Sequence, residues 1–465
     1  MSRCSGCWRS SRIAEPPAPA PEDASAGPSP RAPLPAPVGL LRDPGVALRG
    51  QYFLTFAVVG SILPYLPLFL QSRGLSNRQI GLVQSMQGAA VLLTPVALTL
   101  LADLHVPTRR LMRGVFAFAA AALLGMLLSP GYAWLFAAFA GFSLAFAPAM
   151  PLQDGLVFAQ QERSNTSDRR SPKPGRSLDY HRVRVWGTLG FIAPSAVVYT
   201  SLHAGASIDT AVAVCAGVCV VAAFWTGRLP AGESRPSRSK APGIAAEPSS
   251  EPGVKPPRKG TGLPTLEAAR ALCTPSMLLF CGGMWLLGAA MAAFYGFFPL
   301  LCTETAGISA EWVGPIISLG VVLELGPMLA FGWMTRKLTL PGVVLLGAGL
   351  TAARMAMLGW MPTAGVLIGT QVMHGMMVMA LHVAPPVRLA QASTARSRAS
   401  VHGLFLMAVI GTSRIAGQTG GGWLADAASL QAVFQAAAGA SLLGAVVLGT
   451  GALVERRARK TPAEP

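Results

Sequence analysis

Stretches of about twenty apolar residues recur along the whole chain, and this repetition limits its fold more than any other feature. A helix of that length crosses the hydrocarbon core of a bilayer. Of the 465 residues, 52% are hydrophobic and 12% are charged, whereas soluble domains carry about 25% charged residues. The sequence therefore predicts an all-α membrane protein with twelve transmembrane helices. The predicted spans are residues 50–70, 79–101, 111–129, 132–157, 183–203, 208–227, 276–302, 311–334, 341–360, 363–387, 398–424 and 428–453.

A polar segment divides these spans into two sets of six. Residues 228–275 are rich in Pro and basic residues, which is typical of a flexible linker. They separate a six-helix half at 47–227 from a second at 276–453. Residues 1–46 predict a disordered cytoplasmic tail and not a signal peptide, and 454–465 a second cytoplasmic tail. Two six-helix halves are the pattern of the major facilitator fold, whose substrate site lies between the halves near mid-membrane.

The net charge of +17 is explained by topology. All but four of the 37 Lys and Arg lie in the tails, in alternate loops, or at the helix ends beside them. Lys and Arg at such positions favour the cytoplasmic side. We therefore expect a multi-pass protein of the cell inner (plasma) membrane with both termini in the cytoplasm, and no nucleic-acid partner. The four exceptions are Arg73 and Arg78 in an outer loop, and Arg354 and Arg414 inside spans.

The sequence contains no recognisable motif for catalysis or metal binding. Cys4 and Cys7 form one CxxC without a second pair or a nearby His, so a zinc site is not expected. No nucleophile–base set, metal-ligand cluster or phosphate-binding loop is recognisable. The chain is thus predicted not to be an enzyme and to need no cofactor.

Three ionisable residues lie at matching depth in consecutive predicted spans. Glu324 is near the centre of the eighth span, Arg354 is on the ninth and His374 on the tenth. Ionisable groups inside a membrane are unfavourable unless they are paired or face a cavity, and they usually mark transport pathways. We predict that these three form a substrate and coupling site. The alternative is an ion pair that only holds three helices together.

The chemistry of the three groups fits proton-coupled transport. The guanidinium of Arg354 stays charged and needs a partner, which Glu324 can supply. His374 can carry a proton near neutral pH. His382, eight residues after His374, is a further candidate for the same cavity.

The amino-terminal half offers a second possible pair. Asp154 lies near the end of the fourth span and Arg184 opens the fifth. Residues 163–175 lengthen the loop between them, and we interpret them as a solvated insertion. Further side chains could contribute hydrogen bonds to a ligand, although such residues more often serve packing: Gln84, Gln87, Tyr52, Tyr65 and Tyr295.

Several short segments resemble a known family. They are PLQD at 151–154, DYHRVRVWG at 179–187, FYGF at 294–297, SLGVVLE at 318–324 and QVMH at 371–374. In these segments the chain resembles the phenylpropionate-transporter branch of the major facilitator superfamily, which is related to lactose permease and other oligosaccharide–proton symporters. The resemblance implies proton symport of a small organic acid of the aromatic type. It also implies that the residues lining the cavity are Asp154, Arg184, Glu324, Arg354 and His374.

One departure from that pattern concerns proton coupling. Met377 stands three residues after His374, where lactose permease has its proton-carrying acid. If coupling persists, Glu324 and His374 are the candidates to carry it. The sequence leaves open a sugar or nucleoside symporter, a drug–proton exporter and a non-transporting sensor of transporter-like fold, and a monomer is expected.

Overall fold

The computed structural model describes residues 43–103, 106–129, 131–168, 180–230 and 264–460, and every regular element within these ranges is helical. The amino-terminal group of helices comprises α1 (Pro44–Ile62), α2 (Leu66–Ser72), α3 (Asn77–Asp103), α4 (Thr108–Leu127), α5 (Tyr132–Phe146), α6 (Ala149–Asp168), α7 (Tyr180–His203) and α8 (Asp209–Trp225). After a short α9 (Pro264–Leu272), the carboxy-terminal group comprises α10 (Pro275–Leu300), α11 (Val313–Leu323), α12 (Leu325–Trp360), α13 (Ala364–Gly369), α14 (His374–Val378), α15 (Ala384–Gln391), α16 (Arg398–Phe405), α17 (Thr412–Ala427) and α18 (Leu430–Lys460).

Ten helical segments of the described residues are long and apolar enough to cross a membrane. The longest, Ala310–Trp360, has 51 residues and contains a backbone break at Thr339, where φ is 64° and ψ is 163°. Two crossings from this segment and one from the 27-residue α3 would bring the number to twelve. The structure confirms the all-helical membrane architecture, and the count of twelve stays a prediction.

The helix boundaries follow from local sequence. Asp43 accepts a hydrogen bond from the backbone N–H of Gly45 at 2.8 Å, and Pro44 occupies the first turn of α1, where no backbone N–H is needed. Three turns each contain a glycine at positive φ, namely Gly74, Gly205 and Gly307. Such backbone conformations strain residues that carry a Cβ. These glycines therefore let the chain reverse direction sharply between long helices.

The three glycine turns and Asp426 lie at one end of the bundle, which we call the Asp426 end. Here the two groups of helices contact each other. The hydroxyl of Ser318 on α11 donates to that of Ser195 on α7 at 3.0 Å. Nearby, the rings of Tyr199 and Trp312 pack edge to face with centroids 5.0 Å apart. The opposite end, which we call the Glu455 end, carries the ion pair between Arg388 and Glu455 at 2.8 Å.

The structure adds helical residues to segments for which the sequence predicted a linker or a loop. Within 228–275, α9 packs against α16; Ala268 is fully buried, and Thr394 donates to Glu267 at 2.7 Å. α6 continues to Asp168 and so includes the first part of the predicted insertion. The rest of that insertion, the middle of the linker and residues 1–42 lie outside the described residues.

Candidate functional site

A cavity lies between the two groups of helices. Its wall is formed by Leu63, α2 and α3 from the amino-terminal group, and by α10, the π-helical turn Met379–Val383, Ile410 and α17 from the carboxy-terminal group. The polar residues of the wall are Gln84, Gln87, Tyr295, His382, Ser413, Arg414 and Gln418.

Arg354 and His374, two of the residues predicted from their depth, are in direct contact. Nη1 of Arg354 lies 3.1 Å from Nδ1 of His374. Arg354 is 0% exposed and His374 is 1% exposed. The structure therefore brings these two residues together in closely packed surroundings behind the cavity wall.

Tyr295 connects this buried pair to the cavity. Its hydroxyl lies 3.2 Å from Nε2 of His374, and its side chain lines the cavity. A guanidinium group can only donate hydrogen bonds, so Nδ1 of His374 must accept from Arg354. In the neutral imidazole the proton then lies on Nε2 and is donated to Tyr295. The hydroxyl proton of Tyr295 is left available to a ligand in the cavity.

The rest of the Arg354 guanidinium contacts uncharged groups. Nη1 also donates to the sulfur of Met377 at 3.3 Å, and the guanidinium carbon lies 4.3 Å from the ring centroid of Phe294. A cation over an aromatic face is stabilised by the ring quadrupole. Nε and Nη2 have no hydrogen-bond partner among the described residues. The Arg354 side chain therefore keeps two buried donors without an acceptor.

Glu324 lies close to this pair but does not contact it. It stands at the junction of α11 and α12, where the backbone stays helical and the N–H of Glu324 donates to the oxygen of Gly320 at 3.0 Å. A Cβ on Gly375 would lie 2.7 Å from the Cα of Glu324, so the two backbones cross next to His374. Among the described residues, no hydrogen bond and no ion pair within 4.0 Å joins Glu324 to Arg354. The carboxylate is instead within electrostatic range of Arg184. The proposed Glu324–Arg354 pair is thus not formed in this structure.

Asp154 and Arg184 both approach α1 but at different residues. Asp154 accepts a hydrogen bond from the hydroxyl of Tyr52. The guanidinium carbon of Arg184 lies 5.4 Å from the ring centroid of Phe56, one turn further along α1. No ion pair within 4.0 Å joins Asp154 to Arg184 in the part of the chain that the structure describes.

His382 and Arg414 reach the cavity directly. His382 lies in a π-helical turn, Met379–Val383, and such widened turns are frequent at functional sites. Arg414 projects from α17 and is within electrostatic range of both His382 and Tyr295. Neither Arg414 nor the buried Arg354 has a carboxylate within 4.0 Å among the described residues. The centre of the protein can therefore attract an anion.

The family is decided by comparison with known sequences. A sequence model described as MFS_1 like family matches residues 46–436. The chain belongs to the MFS_1 like family. This membership confirms the resemblance to major facilitator transporters. The relatives and fold neighbours of the chain are transporters and not enzymes.

Among the proteins similar to this MFS_1 like family member is the probable 3-phenylpropionic acid transporter of Escherichia coli strain K12. The two sequences are 28% identical over 329 residues, which cover 70% of this chain and 76% of the relative. The solved structure of the nucleoside transporter NupG is similar in fold, with a TM-score of 0.73, 19% identity, and 88% of this chain and 99% of NupG covered. A bacterial homologue of the human lysosomal transporter Spinster has a TM-score of 0.65 at 15% identity, with 91% of this chain and 99% of that chain covered.

Sequence reasoning on this MFS_1 like family member gave too little weight to one side of the cavity. Gln418 was not singled out, and Arg414 was named only as an arginine inside a predicted span. Both line the cavity. They are four residues apart and therefore share one helix face. That spacing, applied to a span already known to contain an arginine, is the signal that could have found Gln418.

Proposed function

We propose that this major facilitator transporter is a proton-coupled symporter of small organic anions, with aromatic acids as the favoured class. It would work as a monomer in the cell inner membrane, with both termini in the cytoplasm. Alternating access would expose the cavity first at one end of the bundle and then at the other.

The observation that carries this proposal is that no carboxylate of the described residues lies within 4.0 Å of either central arginine. Arg414 lines the cavity. Arg354 is connected to the cavity by its contact with His374, which in turn contacts the hydroxyl of Tyr295. A bound carboxylate would accept hydrogen bonds from Arg414 and from the hydroxyl of Tyr295, and charge-assisted bonds of this kind are the strong ones. The similarity to a probable 3-phenylpropionic acid transporter supports an aromatic acid.

Glu324 is the residue that we propose to carry the coupled proton. Its carboxylate has no hydrogen bond to a described residue and is within electrostatic range of the positive charge of Arg184. Protonation would remove the attraction to Arg184, on the other group of helices, and so change the relative stability of the two conformations. A proton can shift the equilibrium only through such a difference. His374 and His382 are the next candidates to carry the proton. Asp154 has a different proposed role, which is to hold α6 against α1 through its hydrogen bond with Tyr52.

A neutral polar solute, such as a nucleoside or sugar, is the main alternative. The cavity contains the amide groups of Gln84, Gln87 and Gln418, which can bind hydroxyl groups without any charge. Two further alternatives are a drug exporter and a sensor that transports nothing. The exporter differs from the proposed symporter in the direction of solute movement, and the sensor moves no solute.

Uptake into proteoliposomes tests the proposal. The purified protein would be given radiolabelled 3-phenylpropionate or uridine, with and without an inward proton gradient. Variants Arg414→Ala and Glu324→Gln would be compared with Arg388→Ala, which alters an arginine at the Glu455 end, away from the cavity.

The outcomes separate the alternatives. We expect gradient-driven accumulation of 3-phenylpropionate that is lost in Arg414→Ala and becomes independent of pH in Glu324→Gln. Uptake of uridine alone would establish the neutral-solute alternative. Uptake of 3-phenylpropionate at the same rate by all variants would remove the proposed site, and no movement of any solute would favour a sensor.

A further inference from the structure

Gln418 has a buried polar atom that the carboxylate-binding role leaves unexplained. Its side chain lines the cavity but is only 3% exposed, and its Oε1 has no hydrogen-bond partner among the described residues. A buried acceptor without a donor is unfavourable. Because Gln418 lines the cavity, a ligand bound there can supply the missing donor.

Gln84 meets Gln418 at the same place from the other group of helices. It is also 3% exposed, and its Nε2 donates to the backbone oxygen of Gly296 at 3.2 Å. A Cβ on Gly296 would lie 3.6 Å from Nε2 of Gln84 and 3.7 Å from Cγ of Gln418. The two amide side chains and Gly296 therefore surround one small space in the cavity wall.

The position of Arg414 sets the spacing of the groups that a ligand would need. Arg414 and Gln418 are one turn apart on α17 and line the same cavity, which corresponds to a rise of ~6 Å along the helix. A ligand whose carboxylate binds Arg414 can thus place a second polar group beside Gln418. Because Oε1 is an acceptor, that second group must donate.

We infer that Gln418 and Gln84 bind a hydroxyl group of the transported anion, so that the substrate class is hydroxylated organic acids. This inference rests on the proposed function and narrows it. The hydroxyl donates to Oε1 of Gln418 and lies against the amide of Gln84, so it bridges the two groups of helices. Substrate binding then favours the conformation in which α3 and α17 are packed together.

Competition between matched acids tests the inference. Uptake of labelled 3-phenylpropionate into proteoliposomes would be measured against unlabelled 3-(3-hydroxyphenyl)propionate and 3-(3-methoxyphenyl)propionate. The methoxy compound keeps the oxygen but cannot donate a hydrogen bond. We expect the hydroxy acid to compete about five- to tenfold better than the methoxy acid, the value of one net hydrogen bond.

Two variants test whether Gln418 is the residue that distinguishes the hydroxy acid from the methoxy acid. Gln418→Leu should bring the ratio of the two competitors to about one. Thr419→Val, a change on a neighbouring face of α17 outside the cavity wall, should keep the wild-type ratio. Thermal stabilisation of the purified protein by the two acids gives the same comparison if a variant is too unstable to reconstitute.

Two results would overturn the inference in different ways. Equal competition by the hydroxy and methoxy acids in the wild-type protein would disprove hydroxyl recognition and leave anion transport intact. Absence of uptake or stabilisation with all three acids would disprove the proposed function, and this inference with it.

Discussion

Asp426 on α17 caps the helix that begins at Asn77, although the two residues belong to different groups of helices. One carboxylate oxygen accepts from the backbone N–H of Asn77 at 3.0 Å, and the other accepts from that of Arg78 at 2.9 Å. A carboxylate at a helix N-terminus satisfies unpaired donors and interacts favourably with the helix dipole. This contact must break if the two groups separate at the Asp426 end.

Asp426→Ala is expected to shift the equilibrium toward separation at the Asp426 end. Loss of a helix cap costs about 0.5–2 kcal/mol, so the ratio of closed to open molecules should fall about two- to thirtyfold. Spin labels on the exposed Ser207 and Ser309, one on each group, would report the distance distribution. Asp209→Ala is the control, because Asp209 pairs with Arg73 within one group. An unchanged distribution in Asp426→Ala would rule out this role of the cap.

Arg354→Lys is expected to lower uptake at least about tenfold although it keeps the positive charge. Lysine lacks the planar guanidinium that lies over the ring of Phe294, and its ammonium does not reproduce the position of Nη1, which contacts both His374 and Met377. The hydroxyl of Tyr295 then loses its fixed orientation. Initial rates of 3-phenylpropionate uptake measure the effect, with Arg388→Lys as the matched control at the Glu455 end. Wild-type rates in Arg354→Lys would mean that the charge alone matters.

Glu324→Gln is expected to separate exchange of solute from proton coupling. The amide imitates the protonated acid, so external pH should no longer change uptake, whereas exchange of internal for external solute should continue. Both are measured in the same proteoliposomes. Glu311→Gln changes a carboxylate at the Asp426 end and should keep the pH dependence. If Glu324→Gln stays pH-dependent, the proton is carried elsewhere, with His374 and His382 as the next residues to test.

Gly375→Ala is expected to destabilise the protein by forcing two helices apart. Its Cβ would lie 2.7 Å from the Cα of Glu324 and 2.9 Å from the Cγ of Pro327. Overpacking of this kind costs about 1–3 kcal/mol. The Tm in detergent measures the loss. Gly369→Ala is the matched control, because a Cβ there meets nothing within 4 Å. An equal Tm for the two variants would show that the helices can separate without loss.

The sequence predicted well what depends on depth in the membrane. Counting residues from the interfaces placed Arg354 and His374 at one level, and their side chains are in contact. Apolar length alone predicted the helical architecture. These properties follow from the rise per residue of a helix, which hardly varies.

Side-chain direction around each helix was much harder to predict. Glu324 lies beside Gly375, next to His374, but among the described residues its carboxylate has no hydrogen bond or ion pair with Arg354. His382 lies in a π-helical turn, which changes the rotation of every residue that follows. A few tens of degrees decide whether a side chain meets its partner, and they depend on packing against neighbouring helices that no local pattern contains.

Arg354 and Arg414, which have no carboxylate within 4.0 Å among the described residues, also bear on how the electric field would act on transport. Moving one elementary charge across a membrane potential of 100 mV corresponds to about 2.3 kcal/mol. If the proposed anion binds, it would neutralise one of the charges contributed by Arg354 and Arg414, so the loaded protein would respond to the membrane potential less than the empty one. An inside-negative voltage would then act mainly on the return of the unoccupied carrier.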